Sequence, residues 1–491
     1  MTPNREPRYR VEENGAFVIE NYAEAKPFSN FLPSIAGPFG IPLWAFYVNR
    51  GQGIASFGVE DKDHAIMQFY PANRSYEMTA LRGFRTFIKV VQGKKSAVYE
   101  PFRNSLENFK NSIAAEMQIQ SDGFSLIENN PSLHLKTRVQ YFGIPNENFA
   151  ALARVVTIEN TKNSPIHIEC IDGLPIIVPF GLKEFFLKDM SRTVEAWMVS
   201  EIASGSLCSS FFKLKADPED RPEFKAVDGA HFYAAKAFYG DKKTSDISGH
   251  AIVDPDAVFG NVQDFSDARV FGLQTPYRAY EEQILQNKTP CAMSSFKARI
   301  KGRSQLVILS LIGETKDKEK LQKRLTHFMT LDYFRTKDLE NQSLIRELGR
   351  PLKTISNRPS YNRYCEQTFL DNVLRGGYPH VIPAGENDFV FNVYSRKHGD
   401  LERDYNRFVV QPTYFSQGEG NFRDVNQNRR NDVWFEPKIR DTHVKTFYNL
   451  IQLDGYNPLV VEQLKLRFDN IKALQTQLSE WVPSVPAHRL S

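Results

Sequence analysis

The sequence predicts a multidomain protein of the β + α class, in which a large antiparallel β-sandwich precedes a helical linker and a mixed C-terminal region. Apolar and polar residues alternate in segments of residues 1–312, which is the period of a half-buried strand. The spacing of apolar residues becomes helical near residue 313. A length of 491 residues agrees with two or three domains, since single cores stop growing near 250 to 300 residues.

The β domain is predicted over residues 1–312. Its clearest strand has five residues on one face, with polar or charged residues between them: Leu133, Leu135, Thr137, Val139 and Tyr141. Segments 152–158 and 166–170 flank the turn-rich stretch 159–165, and together they predict a β-hairpin. Strand-like alternation over 296–312 ends the region.

A helical linker is predicted over residues 313–352, where apolar residues follow at helical spacing: Leu321, Leu325, Phe328 and Leu331. Residues 353–491 mix loops with helices. The clearest helix of this region is predicted to begin with Asn457 as N-cap and Pro458 in its first turn. Its apolar stripe comprises Val460, Leu464, Phe468, Ile471, Leu474 and Leu478.

Composition argues against several functions. The 62 basic and 58 acidic residues leave a net charge of only +4, which does not predict a nucleic-acid partner. The four cysteines form no CxxC motif and no metal-like pattern with histidine, so we expect free thiols and no metal site. The N-terminus lacks an apolar signal region and no apolar run is long enough to span a bilayer, so the expectation is a soluble, cytoplasmic protein without a membrane partner.

The segment 417–431, QGEGNFRDVNQNRRN, is the strongest candidate for a functional site. Its fifteen residues include two glycines, two carboxylates, three arginines and several amides, and thus offer little for a core to bury. Glycines let the backbone approach a ligand, and amide and guanidinium groups make the directional hydrogen bonds that sugar hydroxyls require. A solvated surface loop fits the same composition equally well.

The segment resembles the catalytic loop of the cellobiose-phosphorylase-type inverting glycoside phosphorylases, in which an aromatic-Arg-Asp triplet precedes a polar run containing Gln. Here the triplet is Phe422, Arg423 and Asp424, and the Gln is Gln427. Together with residues 44–58, WAFYVNRGQGIASFG, the segment is most similar to the large β-1,3-glucan phosphorylases. Phe422 stands where the cellobiose branch has Trp, and Asn428 where it commonly has an acidic residue, which argues against a disaccharide-type substrate geometry.

The resemblance also implies an architecture, in which a β-sandwich and a helical linker precede an (α/α)6 barrel that carries the loop. Only 139 residues follow Leu352 (491 − 352), whereas twelve helices need roughly 250. Residues 353–491 are therefore expected to form the beginning of an incomplete barrel. A truncated gene, a split enzyme completed by a second chain and a decayed copy are the three explanations. The family further implies a homodimer.

The chemistry implied by the resemblance is inverting phosphorolysis of a β-linked glucan oligosaccharide, with Asp424 as general acid. Inorganic phosphate is the co-substrate and no cofactor is implied. Because phosphate is already an anion, no second carboxylate is needed to activate water. Phe422, Arg423, Gln417 and Gln427 are the candidates for substrate binding, and Arg423 is expected to point at sugar hydroxyls or phosphate.

A second polar cluster, KHGDLERDYN at 397–406, offers Asp400 and Arg403 as further sugar ligands, although a solvated helix start is an equal alternative. Two other functions stay open for the whole chain. One is a noncatalytic carbohydrate-binding or assembly module, in which Asp424 is vestigial. The other is an inverting glycoside hydrolase, which the sequence disfavours because it shows no water-activating base at a credible position.

Overall fold

The computed structural model describes residues 5–32, 40–92, 95–110, 113–203, 207–240, 247–382, 388–394 and 409–462. Within these ranges the chain is mixed β/α, with large antiparallel sheets and several helices. Asp400 and Arg403 lie outside the described residues, as does the predicted C-terminal helix beyond residue 462. No helix formed by the described ranges is both long enough and apolar enough to cross a membrane.

The strands, in chain order, are β1 Arg8–Val11, β2 Phe17–Glu20, β3 Ser29–Phe31, β4 Trp44–Val48, β5 Ile54–Gly58, β6 Ala65–Met67, β7 Arg85–Gln92, β8 Lys95–Tyr99, β9 Ala114–Ile119, β10 Gly123–Asn130, β11 Leu135–Gly143, β12 Ala150–Asn160, β13 Ile166–Leu174, β14 Met198–Ile202, β15 Cys208–Leu214, β16 Ala230–Tyr239, β17 Gly249–Ile252, β18 Ala292–Ile300, β19 Gln305–Thr315, β20 Tyr378–Ile382, β21 Phe389–Val393, β22 Gly420–Asn421 and β23 Val460–Val461. The helices are α1 Ala72–Arg82, α2 Leu106–Lys110, α3 Glu184–Asp189, α4 Asp256–Phe259, α5 Arg269–Leu273, α6 Lys318–Phe328, α7 Leu331–Gly349, α8 Pro359–Gly376, α9 Phe422–Arg429, α10 Asp432–Phe435 and α11 Thr442–Asn449.

Among the described residues, three antiparallel sheets make up the β-rich part of the chain. The largest has ten strands in the order β1-β2-β9-β10-β11-β12-β19-β16-β15-β14, the second has the order β17-β18-β13-β7-β8, and the third the order β3-β4-β5-β6. One hydrophobic cluster takes buried residues from all three sheets, among them Val139, Ile168 and Phe57. Packing of apolar sheet faces on one another is the arrangement of a β-sandwich.

The predicted strand around Val139 is confirmed as β11. Its residues alternate between buried and more exposed positions from Leu135 to Tyr141, as the sequence pattern indicates. The strand begins two residues later than predicted because His134 has a φ of 55°, a left-handed conformation that belongs to a turn.

The predicted hairpin over 152–170 is wrong, although both of its segments are strands. Strand β12 pairs with β11 and β19 in the ten-stranded sheet, whereas β13 pairs with β7 and β18 in the five-stranded sheet. The intervening turn therefore crosses from one sheet to the other. The Asn160 side chain holds this crossing, because its Nδ2 donates to the carbonyls of Ser164 at 2.8 Å and Ile300 at 3.2 Å.

Helices α6 and α7 follow β19, in agreement with the change to helical spacing. Leu321, Leu325 and Phe328 are buried in α6, and they join a hydrophobic cluster on the face of the ten-stranded sheet opposite the main core. Leu331 begins α7 instead of ending α6. The domain boundaries at residues 312 and 352 stay predictions.

The C-terminal part combines α8 to α11 with two small sheets, β20-β21 and β22-β23. The helix predicted to begin at Asn457 does not begin there, because Val460 and Val461 form β23 and pair with Asn421 and Gly420. Backbone pairing across about forty residues replaces the local helical preference. The incomplete (α/α)6 barrel stays a prediction.

Candidate functional site

The segment predicted as a catalytic loop contains a helix. Residues Phe422–Arg429 form α9, and Asn421 is its N-cap, with Oδ1 accepting from the backbone N–H of Arg423 at 3.0 Å. Asp424 is therefore the third residue of the helix. An Asn cap with an acidic residue in the first turn is a helix-start signal, which the polar composition of the segment obscured.

The start of α9 is anchored by backbone and side-chain packing. The N–H of Phe422 donates to the carbonyl of Leu459 at 3.0 Å. The Phe422 ring is only 9% exposed and meets the ring of Phe447 edge-on, with centroids 5.4 Å apart; Val425 joins the same cluster. These contacts fix the position of Asp424, but they place the Phe422 ring in a small core, so substrate stacking by Phe422 stays a prediction.

The Asp424 carboxylate lies at a partly accessible position. Its side chain is 30% exposed, and its Oδ1 lies 3.0 Å from both Nε and Nη2 of Arg423. The Arg423 side chain is 83% exposed, so solvent screens this ion pair and it contributes little to stability. In the structure the Arg423 guanidinium is directed at Asp424. The expectation that it points at a sugar or phosphate stays a prediction.

The two candidate glutamines lie in different surroundings. Gln417 is buried, and its Nε2 donates to the carbonyl of Asn392 at 2.7 Å, which joins the segment to β21. Gln427 is exposed on α9. Of the predicted site residues, the structure thus brings Arg423 and Asp424 into contact, while Gln417 has a structural hydrogen bond.

A buried charged cluster at the other end of α9 was missed by sequence reasoning. Arg429 Nε lies 3.1 Å from Asp432 Oδ2, and His443 Nε2 lies 3.2 Å from the same oxygen. Arg429 Nη1 also donates to the carbonyl of Gly377. A Cβ on Gly376 would lie 2.9 Å from Arg429 Nη2, so a glycine at that position leaves room for the guanidinium. The i, i+3 spacing of Arg429 and Asp432 was the available signal.

A second titratable cluster lies on the β5–β6 turn, where Glu60, Asp61 and His64 bring potential metal-ligand atoms within 4.8 Å of one another. His64 Nδ1 lies 2.7 Å from Asp61 Oδ1 and Nε2 lies 3.8 Å from Glu60 Oε2. Burial alone lowers the pKa of His64, but the hydrogen bond and charge of Asp61, together with Glu60, raise it to about 9. We describe the cluster as an ion-pair network, because the His64 ring lies next to both carboxylates.

No protein-family model matches the chain, and no curated protein sequence matches it. Among solved structures, the chain is similar to a bacterial glucoamylase complexed with acarbose, at 10% identity and a TM-score of 0.37, over 93% of this chain and 55% of that one. It is similar to a family GH92 alpha-mannosidase from Bacteroides thetaiotaomicron at 9% identity and a TM-score of 0.33, over 74% of this chain and 41% of that one. It is also similar to a putative kojibiose phosphorylase from human microbiome at 6% identity and a TM-score of 0.26, over 72% of this chain and 32% of that one. The chain thus spans about half, or less, of the length of these structures.

Proposed function

We propose that the chain carries the acid residue of an inverting glycoside phosphorylase, and that Asp424 protonates the glycosidic oxygen of a β-linked glucan oligosaccharide. The observation that carries this proposal is the position of Asp424 within the QGEGNFRDVNQNRRN segment, on the first turn of a capped helix and partly accessible to solvent. The resemblance of that segment to the catalytic loop of the phosphorylases supplies the reaction.

In this reaction an oxygen of inorganic phosphate attacks the anomeric carbon from the face opposite the leaving group. The bond between that carbon and the glycosidic oxygen breaks, and the Asp424 proton passes to the departing oxygen. The products are an α-sugar 1-phosphate and a glucan shorter by one sugar. Asp424 recovers its proton from solvent or from the next phosphate.

The ion pair with Arg423 has to open for Asp424 to act as an acid. Both side chains reach solvent, so the cost of opening is small. Once released, Arg423 is free to bind substrate hydroxyls or phosphate, and this movement reconciles the predicted role of Arg423 with its position next to Asp424.

The proposal is tested by incubating the chain with laminari-oligosaccharides and inorganic phosphate and measuring glucose 1-phosphate. Asp424→Asn is expected to lower the rate by about 10²- to 10⁴-fold, the usual contribution of a positioned proton donor. Asp454→Asn, an exposed carboxylate in the turn after α11, is the matched control and should leave the rate unchanged. Absence of glucose 1-phosphate with the unmodified chain, or near-normal turnover by Asp424→Asn, contradicts the proposal.

A noncatalytic carbohydrate-binding or assembly module is the second candidate. It is favoured by the structural contacts of Gln417 and Phe422, because these two side chains stabilise the fold and leave fewer groups near Asp424 for catalysis. Oligosaccharide binding without glucose 1-phosphate formation would support the module. Release of free glucose in the absence of phosphate would instead indicate a hydrolase. The predicted assembly of the phosphorylase, a homodimer or a complex with a second chain, is part of the proposed function. Measurement of the molar mass in solution tests it.

A further inference from the structure

The turn between β5 and β6 carries three potential metal ligands within reach of one another. One donor atom from each of Glu60, Asp61 and His64 lies within 4.8 Å of the donor atoms of the other two. Their side chains are between 25% and 34% exposed, so an ion in solution can reach them. Carboxylate oxygens and an imidazole nitrogen together are ligands of Zn²⁺ and related divalent transition metals.

The distances around the His64 ring fit a metal site. One ring nitrogen lies 2.7 Å from Asp61 Oδ1, and the other lies 3.8 Å from Glu60 Oε2, too far for a hydrogen bond. Two ligands of a tetrahedral Zn²⁺ lie about 3.4 Å apart, so small side-chain rotations suffice to admit the ion. Asp61 is already held in place, because its Oδ1 accepts from the backbone N–H groups of Asp63 at 2.9 Å and His64 at 3.1 Å.

A buried carboxylate adds negative charge next to this cluster. Glu314 is 6% exposed, and its Oε2 has no hydrogen-bond partner among the described residues. Burial raises the pKa of Glu60, and the charges of Asp61 and Glu314 raise it further. At His64 burial lowers the pKa, and the charge of Glu314 is among those that raise it. Glu314 is thus near enough to act on both groups, and its charge attracts a cation to the turn.

The same turn contacts the segment that leads to α9. The backbone carbonyl of Glu60 accepts from the N–H of Val410 at 3.0 Å. On the other side, the carbonyl of Ile66 in β6 accepts from the N–H of Val178 at 2.9 Å. An ion bound at this turn would therefore stabilise a point at which three separate parts of the chain meet.

We propose that Glu60, Asp61 and His64 bind one divalent transition metal ion, such as Zn²⁺, with water completing the coordination. The ion replaces the ring proton of His64, because a ligating imidazole has to be neutral. The ion-pair network described above belongs to the metal-free protein. Cysteine spacing gives no sign of this site, since its ligands are two carboxylates and one imidazole. The site does not depend on the proposed role of Asp424.

The test is a calorimetric titration of the full chain with ZnCl₂ at pH 8, after metal has been removed with EDTA. A Cys365→Ser background removes the one thiol that is not buried, so that zinc binding by this thiol does not mimic the site. We expect one Zn²⁺ per chain. Glu60→Gln and His64→Asn should each raise the Kd by about tenfold or more. His167→Asn, which replaces an exposed histidine of β13, is the control and should leave the Kd unchanged.

Glu60→Gln is the decisive variant, because the Glu60 carboxylate makes no hydrogen bond within the described part of the chain and its replacement should leave the fold intact. Urea titration of the metal-free variant checks this. Absence of zinc binding, or a Kd that both Glu60→Gln and His64→Asn leave unchanged, overturns the proposal. Titration with MgCl₂ is the second arm. Tight Mg²⁺ binding that survives His64→Asn would identify a site of carboxylates alone and overturn the proposal too.

Discussion

Arg154 and Asp172 form an ion pair in which both side chains are completely buried between the ten-stranded and five-stranded sheets. Asp172 also accepts from Thr86 Oγ1 at 2.7 Å, and Arg154 Nη2 donates to Gln52 Oε1 at 2.5 Å. Arg154 Nε donates to the hydroxyl of Tyr141 at 3.1 Å. Because Gln52 lies in the turn between β4 and β5 of the four-stranded sheet, one polar network connects all three sheets.

Replacing Asp172 by Asn should destabilise the protein strongly. The substitution leaves the Arg154 charge buried without its partner, which costs about 3 to 5 kcal/mol of unfolding free energy. Urea titration at pH 7 measures the change. Lys445→Gln is the matched control, because Lys445 pairs with Asp441 at the surface, with both side chains mostly exposed. No resolvable change is expected for the control. A cost for Asp172→Asn as small as that of Lys445→Gln would contradict the network.

The His64 cluster should stabilise the protein only while His64 is protonated. Its pKa in the folded state, about 9, lies above the ordinary 6.5. The stabilisation is therefore fully present below pH 6.5 and is lost as pH rises through about 9. His64→Asn should lower the free energy of unfolding by about 1 to 2 kcal/mol at pH 6, a value reduced for solvent screening of this partly exposed ring.

At pH 10 the same comparison should show almost no difference, and urea titrations at both pH values check this. The Asp61→Asn background is the control, because it removes the main partner of His64 and should abolish most of the pH dependence. An effect of His64→Asn that is equal at pH 6 and pH 10 would show that the ring acts by packing alone.

The Asn421 cap should determine how firmly the first turn of α9 is held. Asn421→Ala removes the acceptor for the Arg423 N–H and is expected to cost about 1 kcal/mol, whereas Asn421→Asp keeps an acceptor. Hydrogen exchange at the Arg423 amide measures this locally, and exchange should be faster by about fivefold in the alanine variant only. Asn449→Ala, at the exposed end of α11, is the control. Equal exchange in both Asn421 variants would argue against the cap.

Local periodicity was enough to predict some elements. Strand β11 shows alternation because one face is buried, and α6 shows a stripe because Leu321, Leu325 and Phe328 pack on the sheet. Pairing partners were not predictable in this way. A strand, turn and strand have the same local pattern whether the second strand returns to the same sheet or crosses to another, as β13 does.

At the candidate site, too, local features were predictable from the sequence and tertiary contacts were not. The composition of the segment 417–431 indicated which residues carry polar chemistry. Burial of the Phe422 ring, however, depends on Phe447, and the backbone N–H of Phe422 donates to the carbonyl of Leu459. Gln417 likewise bonds to Asn392 of a strand distant in sequence. Contacts of this kind are set by tertiary packing, so no local pattern reveals them.

The leaving-group dependence of Asp424→Asn tests the central claim most directly. A general acid matters for a sugar leaving group, whose oxygen needs a proton, and hardly at all for 2,4-dinitrophenolate, which departs without one. Phosphorolysis of laminari-oligosaccharides and of 2,4-dinitrophenyl β-glucoside should be measured in parallel. We expect Asp424→Asn to lose about 10²-fold or more on the oligosaccharide and less than about tenfold on the aryl glucoside. Equal losses on both substrates, or no loss on either, would contradict the assignment of Asp424 as the proton donor.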